Sequence, residues 1–261
     1  MKQTIKEIKA QLKTIEDLED VYLNQLKEDP RKGVQELVRR HKRVLIAYNQ
    51  RYQAYQKRLD FDRQLLDANQ SFVLAGVDEV GRGPIAGPVV AAAVILPQDT
   101  SDWVDVNDSK TLTHQKRSDL AEMIKQQAKA YAITSVSPQA IDRINIYEAS
   151  RMAMKEAVLK LNKAVDFVVV DAMKLDLQIQ QKAVVKGDQR SLSIAAASII
   201  AKVHRDQLMV DYARWYPEYG FDQHMGYPTK KHLVALEQYG YTAIHRQSFS
   251  PVQKINKFYG S

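Results

Sequence analysis

The stretch Val77-Asp78-Glu79-Val80-Gly81-Arg82-Gly83-Pro84 follows the apolar run Phe72–Gly76 and limits what this chain can become. The run reads as a buried strand, so two adjacent carboxylates stand at a strand end, ahead of an arginine held between two glycines. Paired acids in that position can hold a divalent cation in a polar pocket. A Gly-Arg-Gly turn lets bare backbone and a guanidinium come close to a phosphodiester or a sugar. Neighbouring strand residues face opposite sides. Asp78 and Glu79 therefore share a site only where the chain bends, which Gly81 and Gly83 allow. The combination points to metal-assisted chemistry on nucleic acid.

With 261 residues, 45% of them hydrophobic, the chain can build one large domain, or a domain of about 150–200 residues with an appendage. No segment approaches the roughly 18 apolar residues of a membrane span. The N-terminal MKQTIKEIKAQLK lacks the apolar centre of a secretory signal. The absence of cysteine excludes disulfides, thiolate catalysis and cysteine-based zinc sites. A cytoplasmic protein is the simplest expectation. The net charge of +7 fits a polyanionic partner.

Residues 1–70 read as a basic helical extension ahead of a domain spanning 71–261. Gly33 and Pro30 are the extension's only glycine and proline, and Ile5, Ile8, Leu12 and Ile15 recur at helical spacing. Thr14 with Asp17 reads as a capping box that restarts a helix. Asp29-Pro30 places a cap before a proline at the first helical position, and the pattern stays helical to about Leu66. Between Arg31 and Arg58, nine basic residues (31, 32, 39, 40, 42, 43, 51, 57 and 58) face one acid, Glu36. That basic face suits either nucleic acid or plain solvation. Tyr48, Tyr52 and Tyr55 share one helix face and are expected to pack against protein.

Beyond residue 71, Phe72–Val77 and Val89–Leu96 read as antiparallel strands around the glycine-rich turn. Thr113 opens a helix to about Ala130, and Tyr131–Val136 is a strand. A helical region from Pro138 to Leu161 breaks near Arg143–Asn145. Asp166–Val170 is a strand running into Asp171. Lys182–Val185 is an edge strand ending at Gly187-Asp188, and Leu192–Tyr216 and Pro228–Gln238 are helices. The order implies an α/β sandwich around a mixed sheet.

Asp171 and Asp188 thus join Asp78 and Glu79 as acids at strand ends, where α/β folds build sites. Any one of them could equally cap a turn. Four together, with no cysteine, suit hard ions such as Mg²⁺ or Mn²⁺.

Asp78-Glu79-Val80-Gly81-Arg82-Gly83-Pro84, Asn107-Asp108-Ser109-Lys110, Val170-Asp171, Val185-Lys186-Gly187-Asp188 and Ala196-Ala197-Ser198-Ile199-Ile200-Ala201-Lys202 resemble bacterial ribonuclease HII. Gly226-Tyr227-Pro228-Thr229 and Arg246-Gln247-Ser248-Phe249 extend the match, in the family's order, over about residues 71–251. The related ribonuclease HIII has Gly-Thr-Gly at the turn and a sheet-containing N-terminal domain, so it fits less well. The resemblance implies a ribonuclease H-like mixed sheet flanked by helices. It also implies hydrolysis of RNA strands in hybrids with DNA, including cuts 5′ of single ribonucleotides embedded in duplex DNA.

On that resemblance, Asp78, Glu79, Asp171 and Asp188 are the catalytic, metal-binding carboxylates for two divalent ions. Gly81, Arg82 and Gly83 sense the ribose 2′-hydroxyl, and Tyr227 packs on the neighbouring sugar. Lys110, Ser198, Lys202 and Arg205 are candidate phosphate contacts. The implied enzyme is a monomer that acts in ribonucleotide excision repair and DNA replication. Residues 1–70 exceed the family's minimal form. Other expectations on the same sequence are another nuclease of this fold or a non-catalytic nucleic-acid-binding protein.

Overall fold

The computed structural model describes residues 3–68 and 73–259. The chain divides after Gln56 into two compact units. The first is helical. Its α1 (Ile5–Leu12) opens with a reciprocal cap, in which the Thr4 hydroxyl accepts from the Glu7 amide and Glu7 accepts from the Thr4 amide. The box expected at Thr14 and Asp17 does not form. Thr14 lies in the turn that closes α1, where its hydroxyl donates to the Gln11 carbonyl, and Asp20 instead caps α2 (Val21–Gln25). The long helix α3 (Lys32–Ala68) starts later than Pro30, because Asp29 turns back onto the Arg31 amide and guanidinium. Ile8, Leu12, Ile15, Leu23, Leu26, Val34, Val38 and Leu45 form this unit's core. Ile5, the first residue of the predicted stripe, stays exposed.

Only one of the three tyrosines behaves as expected. Tyr55 is buried, whereas Tyr48 and Tyr52 are exposed and stack on each other with centroids 6.2 Å apart.

The second unit takes the end of α3 and everything after it. Strands β1 (Leu74–Val80), β2 (Val89–Ile95), β3 (Ala130–Val136), β4 (Phe167–Asp171) and β5 (Gln180–Val184) form one mixed sheet in the order β3-β2-β1-β4-β5. β1 runs antiparallel to β2, and β2 to β3; β1, β4 and β5 are parallel. The expected strand start at Phe72 lies outside the described residues. Helices α4 (His114–Gln127), α5 (Pro138–Ile144), α6 (Ile146–Leu159), α7 (Gly187–Arg190), α8 (Leu192–Trp215), α9 (Phe221–His224), α10 (Lys230–Tyr239) and α11 (Ser250–Tyr259) complete it. The expected break at Arg143–Asn145 has a clear cause. Asn145, at φ 70°, ends α5 and caps the amides of Tyr147 and Glu148 at the start of α6. Among the described residues no helix is long and apolar enough to cross a membrane.

Alternation along β1 sorts its side chains between two layers. Ala75 and Val77, with Ala91, Ala93, Val168 and Val170, pack toward Ala149, Ala153, Met154 and Ala157 of α6. Leu74, with Phe167, Val169 and Val184, packs toward Ile194 of α8. Gly76 shares that second face, where a Cβ would stand 2.2 Å from the Ser193 backbone.

A further core joins Ile85, Ala86 and Met209 to Tyr219, Phe221, Leu236 and Ile244. It encloses a histidine chain. His245 Nδ1 accepts from the Thr242 amide at 2.9 Å, so its Nε2–H donates to His232 Nε2 at 3.0 Å, and His232 Nδ1–H donates to the Tyr227 carbonyl at 2.8 Å. Burial lowers His232 to about 4, and burial with the His232 neighbour lowers His245 to about 3. Below pH 6.5 the unfolded chain takes up protons that these two rings refuse. Stability is therefore complete above 6.5 and falls as pH drops toward 4, by about 1.4 kcal/mol per pH unit for each ring. Urea midpoints measured from pH 7 to 5 should drop more steeply for wild type than for His245→Gln.

Candidate active site

Three carboxylates meet at the end of the two central parallel strands. Asp78 follows Leu74 and Gly76 on the α8 face of β1, and Asp171 follows Phe167 and Val169 on the same face of β4. The β1–β4 pairing stops at Val77 and Val170, so β1 continues beyond it with a partner on one side only. There Glu79 reaches its neighbours, and one ligand oxygen from each of Asp78, Glu79 and Asp171 lies within 4.8 Å of the others. No bend separates Asp78 from Glu79, contrary to expectation. β1 stays paired with β2 through Val80, and the freed strand edge with the longer Glu79 side chain does what a bend was expected to do.

Asp188 differs from the expectation in two ways. It lies on the helical turn α7 rather than at the end of β5, and outside the three-acid group. Lys186, at φ 54°, redirects the chain, and the Gly187 amide then donates to Asp171 Oδ1 at 2.7 Å. A Cβ at Gly187 would lie 2.5 Å from Ile194 Cδ1 and 3.1 Å from Asp171 Oδ1, so a side chain there would push on both. Asp188 is nonetheless buried beside the group, with Lys110 Nζ 4.0 Å from its Oδ2.

Burial and mutual repulsion dominate the electrostatics here. Asp78 is raised well above its ordinary range by burial, then by Glu79 and Asp171, while the Ser198 hydroxyl opposes the rise. Burial raises Glu79 to about 7, against the pull of Arg82. Burial and Asp108 raise Asp188, against Lys110. Glu79 Oε2 is buried and has no hydrogen-bond partner among the described residues. An orphaned carboxylate oxygen facing two more carboxylates, in an all-oxygen set, fits a hard divalent cation.

The turn after β1 forms the rim. Gly81 is buried at φ 95°, where a Cβ would meet Arg205 Nε at 2.2 Å. Arg82 and Gly83 are exposed, and Arg82 Nη1 lies 3.5 Å from Glu79 Oε1. Across from them stands the exposed Tyr227, whose Cε1 is 3.4 Å from where a Gly83 Cβ would be. Lys110 is exposed on the other side.

The remaining expected phosphate contacts sit deeper. Ser198 is buried, its hydroxyl 3.0 Å from that of Ser109. Lys202 is half-buried and paired with Asp206 at 2.6 Å. Arg205 is fully buried and donates to the carbonyls of Pro88, Ala86 and Met225. A guanidinium with no exposed surface is not placed to touch phosphate. Arg246, which sequence reasoning left without a role, is buried beside it and donates to the carbonyls of Gly81, Arg82 and Gly87. Its place in Arg246-Gln247-Ser248-Phe249 was visible, but no local signal announces a buried arginine.

A family model described as ribonuclease HII matches residues 75–252, and one described as ribonuclease HII N-terminal domain matches residues 4–66. The chain belongs to the ribonuclease HII family. It is 49% identical to ribonuclease HII of Ligilactobacillus salivarius over 254 residues, 97% of this chain and 98% of that one. It is 45% identical to ribonuclease HII of Bacillus subtilis over 253 residues, with the same shares. Ribonuclease H2 of Pyrococcus horikoshii OT3 matches with a TM-score of 0.64 at 27% identity, over 73% of this chain and 100% of that one. The chain is therefore a ribonuclease H, a hydrolase that cleaves the RNA strand of RNA–DNA hybrids. The two bacterial ribonuclease HII relatives align along nearly the whole chain, so the alignment takes in its N-terminal segment as well.

Proposed function

We propose that this ribonuclease HII also cuts 5′ of single ribonucleotides in duplex DNA, leaving 3′-hydroxyl and 5′-phosphate ends. The observation that carries the proposal is the adjacency of the orphaned Glu79 oxygen to the exposed Gly81-Arg82-Gly83 turn and Tyr227. Asp78, Glu79, Asp171 and Asp188 would hold two divalent ions, Mg²⁺ or Mn²⁺, which supply Lewis acidity to the attacking water and the leaving 3′-oxygen. The turn reads the 2′-hydroxyl, Tyr227 packs on the following sugar, and Lys110 lies within reach of a phosphate. On the same reading, residues 1–70 are an appended helical extension and residues 71–261 the catalytic domain. The enzyme then works as a monomer in the cytoplasm, in ribonucleotide excision repair and replication.

A duplex carrying one ribonucleotide, incubated with Mg²⁺ or Mn²⁺, should be nicked at its 5′ side while the all-DNA duplex stays intact. Arg82→Ala should lower that nicking by about 10–100-fold, the effect of losing one charge-assisted hydrogen bond. An intact ribonucleotide duplex, or cleavage of all-DNA, overturns the reading.

A further inference from the structure

Two buried arginines with unusual partners lie behind the turn. Arg246 donates to the carbonyls of Gly81 at 2.6 Å, Gly87 at 2.9 Å and Arg82 at 3.1 Å. Arg205 donates to those of Met225 at 2.9 Å, Pro88 at 3.0 Å and Ala86 at 3.1 Å. Both are fully buried, and among the described residues neither has a carboxylate within ion-pair distance. Burying a cation without an anion is costly. Burial lowers both groups, and Arg205 lowers Arg246 further. Three carbonyl dipoles are what each charge receives in return, and Arg246 also has the Phe249 ring 5.0 Å from its Cζ.

Those carbonyls determine where the turn's amides point. In a trans peptide the C=O and the following N–H point in opposite directions. With the Gly81 and Arg82 carbonyls drawn inward to Arg246, the N–H groups of Arg82 and Gly83 face outward, on the exposed rim. Neither amide makes a hydrogen bond among the described residues. Arg205 spans the other gap, because one guanidinium binds both Ala86 and Pro88 of the turn segment and Met225, two residues before Tyr227. A planar five-donor fork can hold several fixed carbonyls at once, which an ammonium on a flexible stem cannot.

We infer that Arg246 and Arg205 are positioning residues for ribose recognition: together they aim the Arg82 and Gly83 amides outward and fix their spacing from Tyr227. The inference rests on the proposed reading of the turn as the 2′-hydroxyl sensor and adds what sets its geometry. Neither arginine touches substrate. A displacement of about 1 Å at such a site costs about 10²-fold in rate.

The decisive variant is Arg246→Lys, which keeps the charge and loses the fork. Its kcat/KM on a single-ribonucleotide duplex should fall by about 10²-fold. Cooperative unfolding and calorimetric Mn²⁺ affinity should stay near wild type. Wild-type rates on that duplex, or Mn²⁺ affinity lost in parallel with activity, overturn the inference. A second arm uses the unaltered enzyme in metal-free buffer, so that a variant that fails to fold leaves the question decidable. The Arg82 and Gly83 amides should exchange rapidly in the free enzyme and slow with the ribonucleotide duplex but not with all-DNA. Protection of these amides in the free enzyme overturns the positioning role. If wild type itself fails to distinguish the two duplexes in cleavage, the ribose reading fails instead, a separate result.

Discussion

Asp78→Asn is expected to lower hybrid cleavage by about 10³-fold or more while leaving hybrid affinity nearly unchanged. Asp78 is buried in the three-acid group, where one carboxylate oxygen from each member lies within 4.8 Å of the others. An amide keeps the shape but removes a full negative charge. Metal-derived charge stabilisation is worth several kcal/mol, and about 4 kcal/mol corresponds to about 10³ in rate. Single-turnover cleavage and binding measured on the same hybrid separate the two effects. Near-normal turnover in the variant would remove Asp78 from the chemistry.

The same substitution should act oppositely on stability. Glu79 titrates near 7 in the fold, above its ordinary value of 4.5. Between those values the folded protein keeps a proton that the unfolded chain has released, so metal-free stability falls as pH rises through the window. Asp78 is raised as well, by burial and then by Glu79 and Asp171, so removing its charge relieves part of the same cost. Without metal, Asp78→Asn should melt higher than wild type at pH 8, and added Mn²⁺ should raise wild type far more than the variant.

Gly76→Ala is expected to be the most damaging single methyl in the sheet. The added Cβ would meet the Ser193 carbonyl carbon at 2.2 Å and the Ile194 nitrogen at 2.4 Å, both backbone atoms. No rotamer change relieves that overlap, so β1 and the start of α8 must separate. Overpacking of this kind costs about 3 kcal/mol or more. Because Asp78 lies two residues along the same strand face and Ser198 further along α8, activity should fall with stability. Chemical denaturation that shows an unchanged midpoint would contradict this close strand–helix contact.

The parts of the molecule legible from sequence are those written locally. Pro138 marks the start of α5 and the break near Arg143–Asn145 the start of α6, and the caps responsible, Ser137 and Asn145, act within a few residues. The apolar runs of β1 and β4 and their terminal carboxylates could be read for the same reason. The false capping box at Thr14 shows the limit of such signals, since Thr4 with Glu7 has the same pattern and a helix ahead of it. The sequence pattern puts Asp188 at a strand end because nothing in Lys186 announces a left-handed backbone. Arg205 and Arg246 were beyond reach altogether. Their burial depends on carbonyls more than a hundred residues earlier in the chain, presented by a turn whose path only the fold determines.

β5 closes one margin of the sheet with only five residues, of which Gln180, Lys182 and Ala183 are exposed. Lys182 stands at its centre, its ammonium 5.7 Å from the Phe61 ring. A short margin that carries a cation makes a poor template for a strand from another molecule. This margin of the sheet can therefore be expected to resist strand addition when copies of the protein are crowded along a polyanion.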